Sequence, residues 1–312
     1  VKPAALCYNQ RLMNALLIFN PAAGQGRPEE TLTAIRHIFG AVARDVVVTG
    51  GPGDATVAAR RAARLPGVYD AVLVAGGDGT LNEVINGLLL DAPDGRVPLP
   101  IGLIPQGTRN VLARDLGIPR NDLTAQAAVV SQGRTRDLDL GRAGGRYFSL
   151  VAGFGFDAAV VREVALPIKD LIGPAAYAFA TLGALAKYQS TRFRLTLDGQ
   201  CLESEAFLVL VANVSSYGFS KVRPAPFAAP DDGWLDICVF EKAPMDKVGF
   251  VTQIAAVIAR RHLRDPRVRY YRARRVEVES DPPVQAQLDG DVVGRTPQVI
   301  EIAPRVLTVF VP

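Results

Sequence analysis

Short apolar runs recur through the first part of the chain, at Ala15–Phe19, Val46–Thr49, Ala71–Ala75 and Ile101–Ile104. The segments between them, Glu29–Phe39, Asp54–Arg64 and Leu81–Leu90, repeat apolar positions at helical spacing. Strands that alternate with helices predict a parallel sheet covered on both faces, with ligands bound off the carboxyl ends of the strands. After Asp137 the texture changes to alternating, turn-punctuated runs at Tyr147–Val151, Arg192–Leu197, Ala206–Val211, Trp234–Phe240, Val268–Val278 and Val306–Val311. These predict antiparallel β-structure with hairpin turns at Asp198-Gly199 and Asp289-Gly290. Helical insertions are expected over Asp157–Leu166, Pro174–Lys187 and Asp246–Arg261. The expected organisation is an α/β domain over 13–137 and a β-rich domain over 138–312, the last strand being free to return to the first domain. Residues 1–12 read as an extension ahead of the first strand.

At 312 residues, 49% hydrophobic and 21% charged, the chain can fill two moderate cores and is neither disordered nor fibrous. A net charge of +4 admits an anionic partner without choosing one. The three cysteines, Cys7, Cys201 and Cys238, lack paired spacing, which argues against a disulfide framework or a zinc site and for a reducing cytoplasm. The uncharged run Leu171–Ala186 is too short to span a bilayer. No secretory signal pattern is visible at the start of the sequence.

Four loops carry candidate chemistry. Gly76-Gly77-Asp78-Gly79-Thr80-Leu81-Asn82-Glu83 follows a buried strand and opens a helix, so its backbone N–H groups suit phosphate oxygens. A carboxylate in such a cradle repels phosphate unless a divalent cation lies between them, and Asp78 therefore reads as part of a metal–nucleotide site. An ordinary glycine turn capped by Asp78 is the alternative. Asn20-Pro21-Ala22-Ala23-Gly24 lies after the first strand and Gly107-Thr108-Arg109-Asn110 after the fourth. Neither is a Walker A loop or a dinucleotide fingerprint. In the second half, Leu288-Asp289-Gly290-Asp291 places two carboxylates around a glycine. A plain tight turn is one reading of it. The other is a group that accepts the hydroxyl proton in phosphoryl transfer, with the two domains meeting at a cleft.

Six ordered landmarks give the chain a wider resemblance. They are NPAAG at Asn20–Gly24, Thr49 with Gly53-Asp54-Ala55, GGDGTLNEV at Gly76–Val84, GTRN at Gly107–Asn110 with the following Leu116-Gly117-Ile118-Pro119, Asp231-Asp232-Gly233-Trp234-Leu235-Asp236, and LDGD at Leu288–Asp291. In these the sequence resembles the diacylglycerol kinase catalytic-domain family, in its bacterial lipid kinase branch related to sphingosine and ceramide kinases. The resemblance implies an N-terminal α/β domain with a parallel sheet, as in NAD kinases and diacylglycerol kinases, and an antiparallel β-rich C-terminal domain that presents a lipid hydroxyl to ATP. It implies ATP contacts at Asn20, Pro21, Ala22, Ala23, Gly24, Thr49, Gly77, Asp78, Gly79, Thr80, Leu81, Asn82, Glu83 and Thr108. Asp78, Asp289 and Asp291 become the catalytic acids, Asp291 taking the position of the family's general base, which is a glutamate. A structural Mg²⁺ is implied on the Asp232 carboxylate with the main-chain carbonyls of Ala229 and Trp234. Many relatives carry an acidic residue where this chain has Val111.

The implied activity is transfer of the ATP γ-phosphate to a hydroxyl of diacylglycerol or a related lipid. A soluble-substrate kinase of the NAD kinase type, or a non-catalytic nucleotide or lipid sensor, are the competing readings. Arg260, Arg261, Arg264, Arg267, Arg269, Arg272, Arg274 and Arg275 crowd one segment and suit anionic headgroups, giving a cytoplasmic protein that associates peripherally with membranes. The same arginines also suit a solvated helix end and an edge strand. No nucleic-acid-binding signature appears. A homodimer is compatible with the sequence, which does not fix the oligomeric state.

Overall fold

A computed structural model describes residues 7–8, 11–24, 26–92, 95–156, 158, 188–217, 222–243 and 247–312. The chain forms two compact units, one of residues 1–140 with 304–312 and one of residues 141–303.

The first unit is built on four parallel strands, β1 (Ala15–Phe19), β2 (Ala43–Val48), β3 (Ala71–Gly76) and β4 (Ile101–Pro105), in the order β2-β1-β3-β4. Helices α1 (Pro28–Phe39), α2 (Asp54–Ala63) and α3 (Asp78–Leu89) make the crossovers. Every residue of β1, β3 and β4 is buried, which explains why these strands read as continuous rather than alternating apolar runs. Burying each large apolar side chain of β1 contributes on the order of 1.5–3 kcal/mol. The edge strand β2 is more exposed and begins at Ala43, three residues before its apolar run, because pairing with β1 starts at the Ala15–Ala43 position. α3 begins at Asp78 rather than Leu81, so the glycine-rich segment itself forms the first helical turn.

Two short helices, α4 (Val111–Asp115) and α5 (Leu123–Gln132), have no counterpart in the apolar pattern. α5 is capped by Asp122, which accepts the Ala125 N–H at 2.9 Å. Its Ala127, Val129 and Val130 join Phe19, Phe39 and Leu73 in the core of this unit.

The second unit is antiparallel. Its strands are the end of β5 (Thr135–Ala143), then β6 (Arg146–Phe148), β7 (Val151–Gly155), β8 (Thr191–Leu197), β9 (Gln200–Ala212), β10 (Leu235–Glu241), β11 (Val268–Ala273), β12 (Arg275–Asp281), β13 (Gln285–Leu288), β14 (Asp291–Arg295) and the start of β15 (Gln298–Phe310). The long β9 pairs with β8 along its first half and lies between β7 and β10 along its second, with an irregularity at Ala206/Leu208. Phe154, Phe193, Val209, Ile237 and Val278 fill the core between the strands. Helix α6 (Lys247–Ile258) packs Phe250 against Phe207 and Phe240. β15 pairs with β12 near its start and, in parallel, with β4 at Val309–Ile101, so its last residues join the first unit's sheet. The helix expected over 174–187 lies outside the described residues, as does that over 157–166 apart from Ala158.

Two runs expected as single strands are divided. Tyr147–Val151 becomes β6 and β7, interrupted at Ser149-Leu150, and Val268–Val278 becomes β11 and β12, interrupted at Arg274. The cause is the same in both places: an Asp-Gly turn elsewhere in the chain takes the N–H groups at the break. Asp198 accepts from Arg274 N at 3.0 Å and Arg275 N at 2.8 Å, and Asp289 accepts from Ser149, Leu150 and Val151 N–H at 2.7, 2.9 and 3.0 Å.

Candidate nucleotide and acceptor sites

In the first unit the carboxyl ends of β1, β2 and β3 open onto a pocket of ≈ 280 Å³, lined by Asn20, Pro21, Ala22, Thr49, Gly50, Gly51, Pro52, Ala55, Gly79, Thr80 and Glu83. Asn20 organises its floor. Its side-chain amide donates to Thr80 Oγ1 at 2.8 Å, its Oδ1 accepts the Ala22 N–H at 2.9 Å, and its backbone N–H donates to Ala75 O at 2.9 Å. Gly77 is the extended residue before α3, so Asp78, Gly79 and Thr80 form the first turn, whose N–H groups have no intrahelical acceptor. A 12-residue helix opening beside the pocket supplies a positive dipole end for phosphate.

The glycines here are steric necessities. A Cβ on Gly76 would lie 2.6 Å from the Thr80 side chain, and one on Gly107 would lie 2.6 Å from Gly77 Cα. The β3 and β4 loops are thus pressed together, and Gln106 N–H donates to Gly76 O at 2.9 Å. Asp78 does not cap its own helix. Its Oδ1 accepts the Val111 N–H at 2.7 Å, tying the start of α3 to the start of α4, while Asn110, at φ +46°, donates to Gly107 O at 2.5 Å. A second, much smaller cavity is lined by Gly77, Asp78, Leu81 and Asn110 among others.

Of the residues expected to contact nucleotide, Asn20, Pro21, Ala22, Thr49, Gly79, Thr80 and Glu83 line the larger pocket. Leu81 and Asn82 are buried in the helix interface, and Thr108 is exposed on the neighbouring loop. Gly24 lies against that same loop, since a Cβ there would sit 3.5 Å from Gln106 O. Gly50, Gly51 and Pro52 were not anticipated. Their signal was the glycine cluster after β2, which Asp54 organises by accepting the Gly50 and Gly51 N–H groups at 2.7 and 3.0 Å.

In the second unit β13 and β14 are joined by Asp289 and Gly290, both at positive φ (+50° and +92°), a tight hairpin turn. The Asp289 carboxylate is enclosed by four donors, the three backbone N–H groups of 149–151 and Ser149 Oγ at 3.1 Å. Burial pushes this carboxyl up from the ordinary range, and the donors pull it back down. Asp289 thus holds the turn against the β6–β7 break. Asp291, the next residue but one, remains largely exposed and pairs with Arg146 at 2.5 Å. Arg146 and Ser149 are partners that no local motif announced.

Of the donors implied for a structural magnesium ion, the Asp232 carboxylate already has protein partners. Asp232 Oδ1 accepts the Trp234 N–H at 3.1 Å and its Oδ2 is taken by the Arg272 guanidinium. Asp236, fully buried, accepts from Tyr270 OH at 2.7 Å and lies 3.5 Å from Arg272 Nε. Burial pushes the Asp236 carboxyl up, opposed by the Tyr270 hydrogen bond and the Arg272 charge. No group of three or more Asp, Glu, His or Cys side chains arranged to hold a metal occurs among the described residues. The carboxylate of Asp78, one oxygen of which accepts the Val111 N–H, is a hard donor at the α3 N-terminus, the donor type that magnesium takes. Elsewhere in the arginine-rich segment Arg269 pairs with Glu241, Arg275 with Glu277 and Glu301, and Arg274 stacks on Trp234.

A parallel α/β unit with a glycine-lined anion cradle, followed by an antiparallel unit carrying an acidic hairpin, defines a phosphotransferase of the kinase class. Residues 14–143 match the diacylglycerol kinase catalytic domain, and residues 150–311 the YegS C-terminal NAD kinase beta sandwich-like domain. The chain is 33% identical to a diacylglycerol kinase of Bacillus subtilis (strain 168) over 92% of both chains. It is 31% identical to one of Staphylococcus aureus (strain MRSA252) over 96% of this chain and 92% of that one. A crystal structure of a diacylglycerol kinase from Bacillus anthracis str. Sterne superposes with a TM-score of 0.76 at 28% identity, covering 96% of this chain and 97% of that chain. The chain belongs to the diacylglycerol kinase family of lipid kinases.

Proposed function

We propose that this enzyme transfers the γ-phosphoryl group of ATP to a hydroxyl of diacylglycerol or a closely related membrane lipid. The observation that carries the reading is the α3 N-terminus opening onto the Asn20–Thr80 pocket, in a chain whose relatives along nearly its whole length are diacylglycerol kinases. Asn20–Gly24, Thr49, Gly77–Glu83 and Thr108 are the proposed nucleotide contacts, with Gly50 and Gly51 added to them. When bound, magnesium at Asp78 would offset phosphate charge. The lipid hydroxyl oxygen forms the new bond to phosphorus, the bond to ADP breaks, and the hydroxyl proton passes to Asp291. Arg146 orients that carboxylate, and Asp289 positions the turn without touching substrate. Arg260, Arg261 and Arg264, exposed and without ion pairs among the described residues, favour an anionic membrane surface where such a lipid resides. No described helix is long and apolar enough to cross a membrane.

The test is incubation of the purified chain with Mg²⁺, labelled ATP and a panel of lipid hydroxyl acceptors. Label is expected in the organic extract. Asp291→Asn should lower kcat by a factor on the order of 100 or more with melting temperature little changed, whereas Asp78→Ala should lower kcat by a similar factor and also lower the melting temperature, because the Val111 N–H loses its acceptor. Label on NAD or a sugar phosphate, with none on any lipid, would replace the lipid reading with a soluble-substrate one.

A further inference from the structure

The turn at 229–236 has its positive charge built in. β10 and β11 pair antiparallel with Asp236 directly opposite Arg272, so a cross-strand pair points the guanidinium toward this carboxylate. Tyr270 and Arg272 alternate along β11, Arg274 follows just past its end, and each engages the turn. Tyr270 OH donates to Asp236, Arg272 bridges Asp236 and Asp232, and Arg274 lies over the Trp234 ring with its guanidinium carbon 4.6 Å from the centroid. Arg272 also lies near that ring, at 5.6 Å.

Three carboxylates, Asp231, Asp232 and Asp236, lie in this turn, and two guanidinium groups, those of Arg272 and Arg274, stand against it. A divalent cation takes about six oxygens, carboxylates foremost. Both Asp232 oxygens are occupied, one of them by Arg272. Asp236 Oδ2 is buried without a hydrogen-bond partner among the described residues, and it shares its carboxyl group with the Arg272 contact. Adding an ion of charge two beside Arg272 and Arg274 would set it against two fixed positive charges.

We infer that Arg272 stands in for a structural cation: its planar fork clips Asp232 and Asp236 together and fixes the 229–236 turn on β11 without any divalent metal. A guanidinium suits this work because its donors span two acceptors in one plane and it stays charged at any working pH.

Thermal unfolding of the nucleotide-free protein, in EDTA and in millimolar Mg²⁺, tests the inference independently of which acceptor is phosphorylated. Wild type and Asp232→Asn should show the same Mg²⁺ shift, because any ion bound elsewhere is common to both. Arg272→Met should melt below wild type in EDTA and recover part of the loss in Mg²⁺, since the carboxylates that have lost their guanidinium then recruit the ion. A Mg²⁺-dependent rise in wild type that Asp232→Asn abolishes would overturn the proposal, and so would an Arg272→Met protein that melts with wild type in EDTA. Where Arg272→Met does not fold, the comparison of wild type with Asp232→Asn decides alone.

Discussion

Two of the second unit's three Asp-Gly dipeptides share one backbone conformation and do different amounts of work. Asp198-Gly199 joins β8 to β9 with φ of +47° and +90°, and Asp289-Gly290 joins β13 to β14 with +50° and +92°. Each aspartate reaches a break between two other strands and accepts its N–H groups. Asp198 does so at the surface, where water can replace it. Asp289 is half-buried and its carboxylate gathers four donors, so water replaces it less readily. The comparison shows that a turn motif specifies a backbone shape, and that the energetic weight of its carboxylate depends on what the fold lays against it.

Alanine substitution measures that difference most directly. Asp289→Ala leaves three backbone N–H groups and a hydroxyl without their acceptor and should cost about 2–4 kcal/mol by urea denaturation, whereas Asp198→Ala should cost about 1 kcal/mol or less. Equal losses would mean that enclosure is not what separates the two turns. The glycines should behave alike: Gly199→Ala and Gly290→Ala each force a methyl group into the left-handed region and should each cost about 1 kcal/mol in the same assay. A clear gap between them would show that the backbones differ after all.

The smallest effect at neutral pH comes from a buried group of opposite chemistry, His262. Burial holds its pKa below the ordinary 6.5, against the raising effect of its 3.0 Å contact with Pro224 O. Because the folded-state value is depressed, the unfolded chain binds the proton more readily. Its contribution to stability is complete above 6.5 and is lost as the pH falls from there through the depressed folded value. His262→Gln should flatten the slope of melting temperature against pH in that window while leaving other acid-dependent steps in place.

Much of the first unit was legible because its information is local. Ala15–Phe19 and Ala71–Gly76 are buried on both faces, so their apolar runs could hardly be anything other than central parallel strands. The glycine-rich segment after β3 announced a close strand-to-helix turn by its composition, because a Cβ on Gly76 would run into the Thr80 side chain of the helix it opens. α5 escaped notice since its buried face is made mainly of alanine and valine, which leave a weak periodic signal. In the second unit Tyr147–Val151 and Val268–Val278 read as single strands because nothing within either run records that a distant aspartate claims its N–H groups.

The amino-acid order alone therefore settled the alternation of strand and helix, the glycine turns and the family to which the chain belongs. Each is written within a dozen consecutive residues or in their sequence of landmarks. The fate of each carboxylate was decided by tertiary structure. Asp289 finds Ser149 at a separation of 140 residues, Asp291 finds Arg146 at 145, and Asp232 finds Arg272 at 40. An acidic side chain has the same valence for a metal ion, a guanidinium or an amide. Only strand register determines which of the three stands within reach.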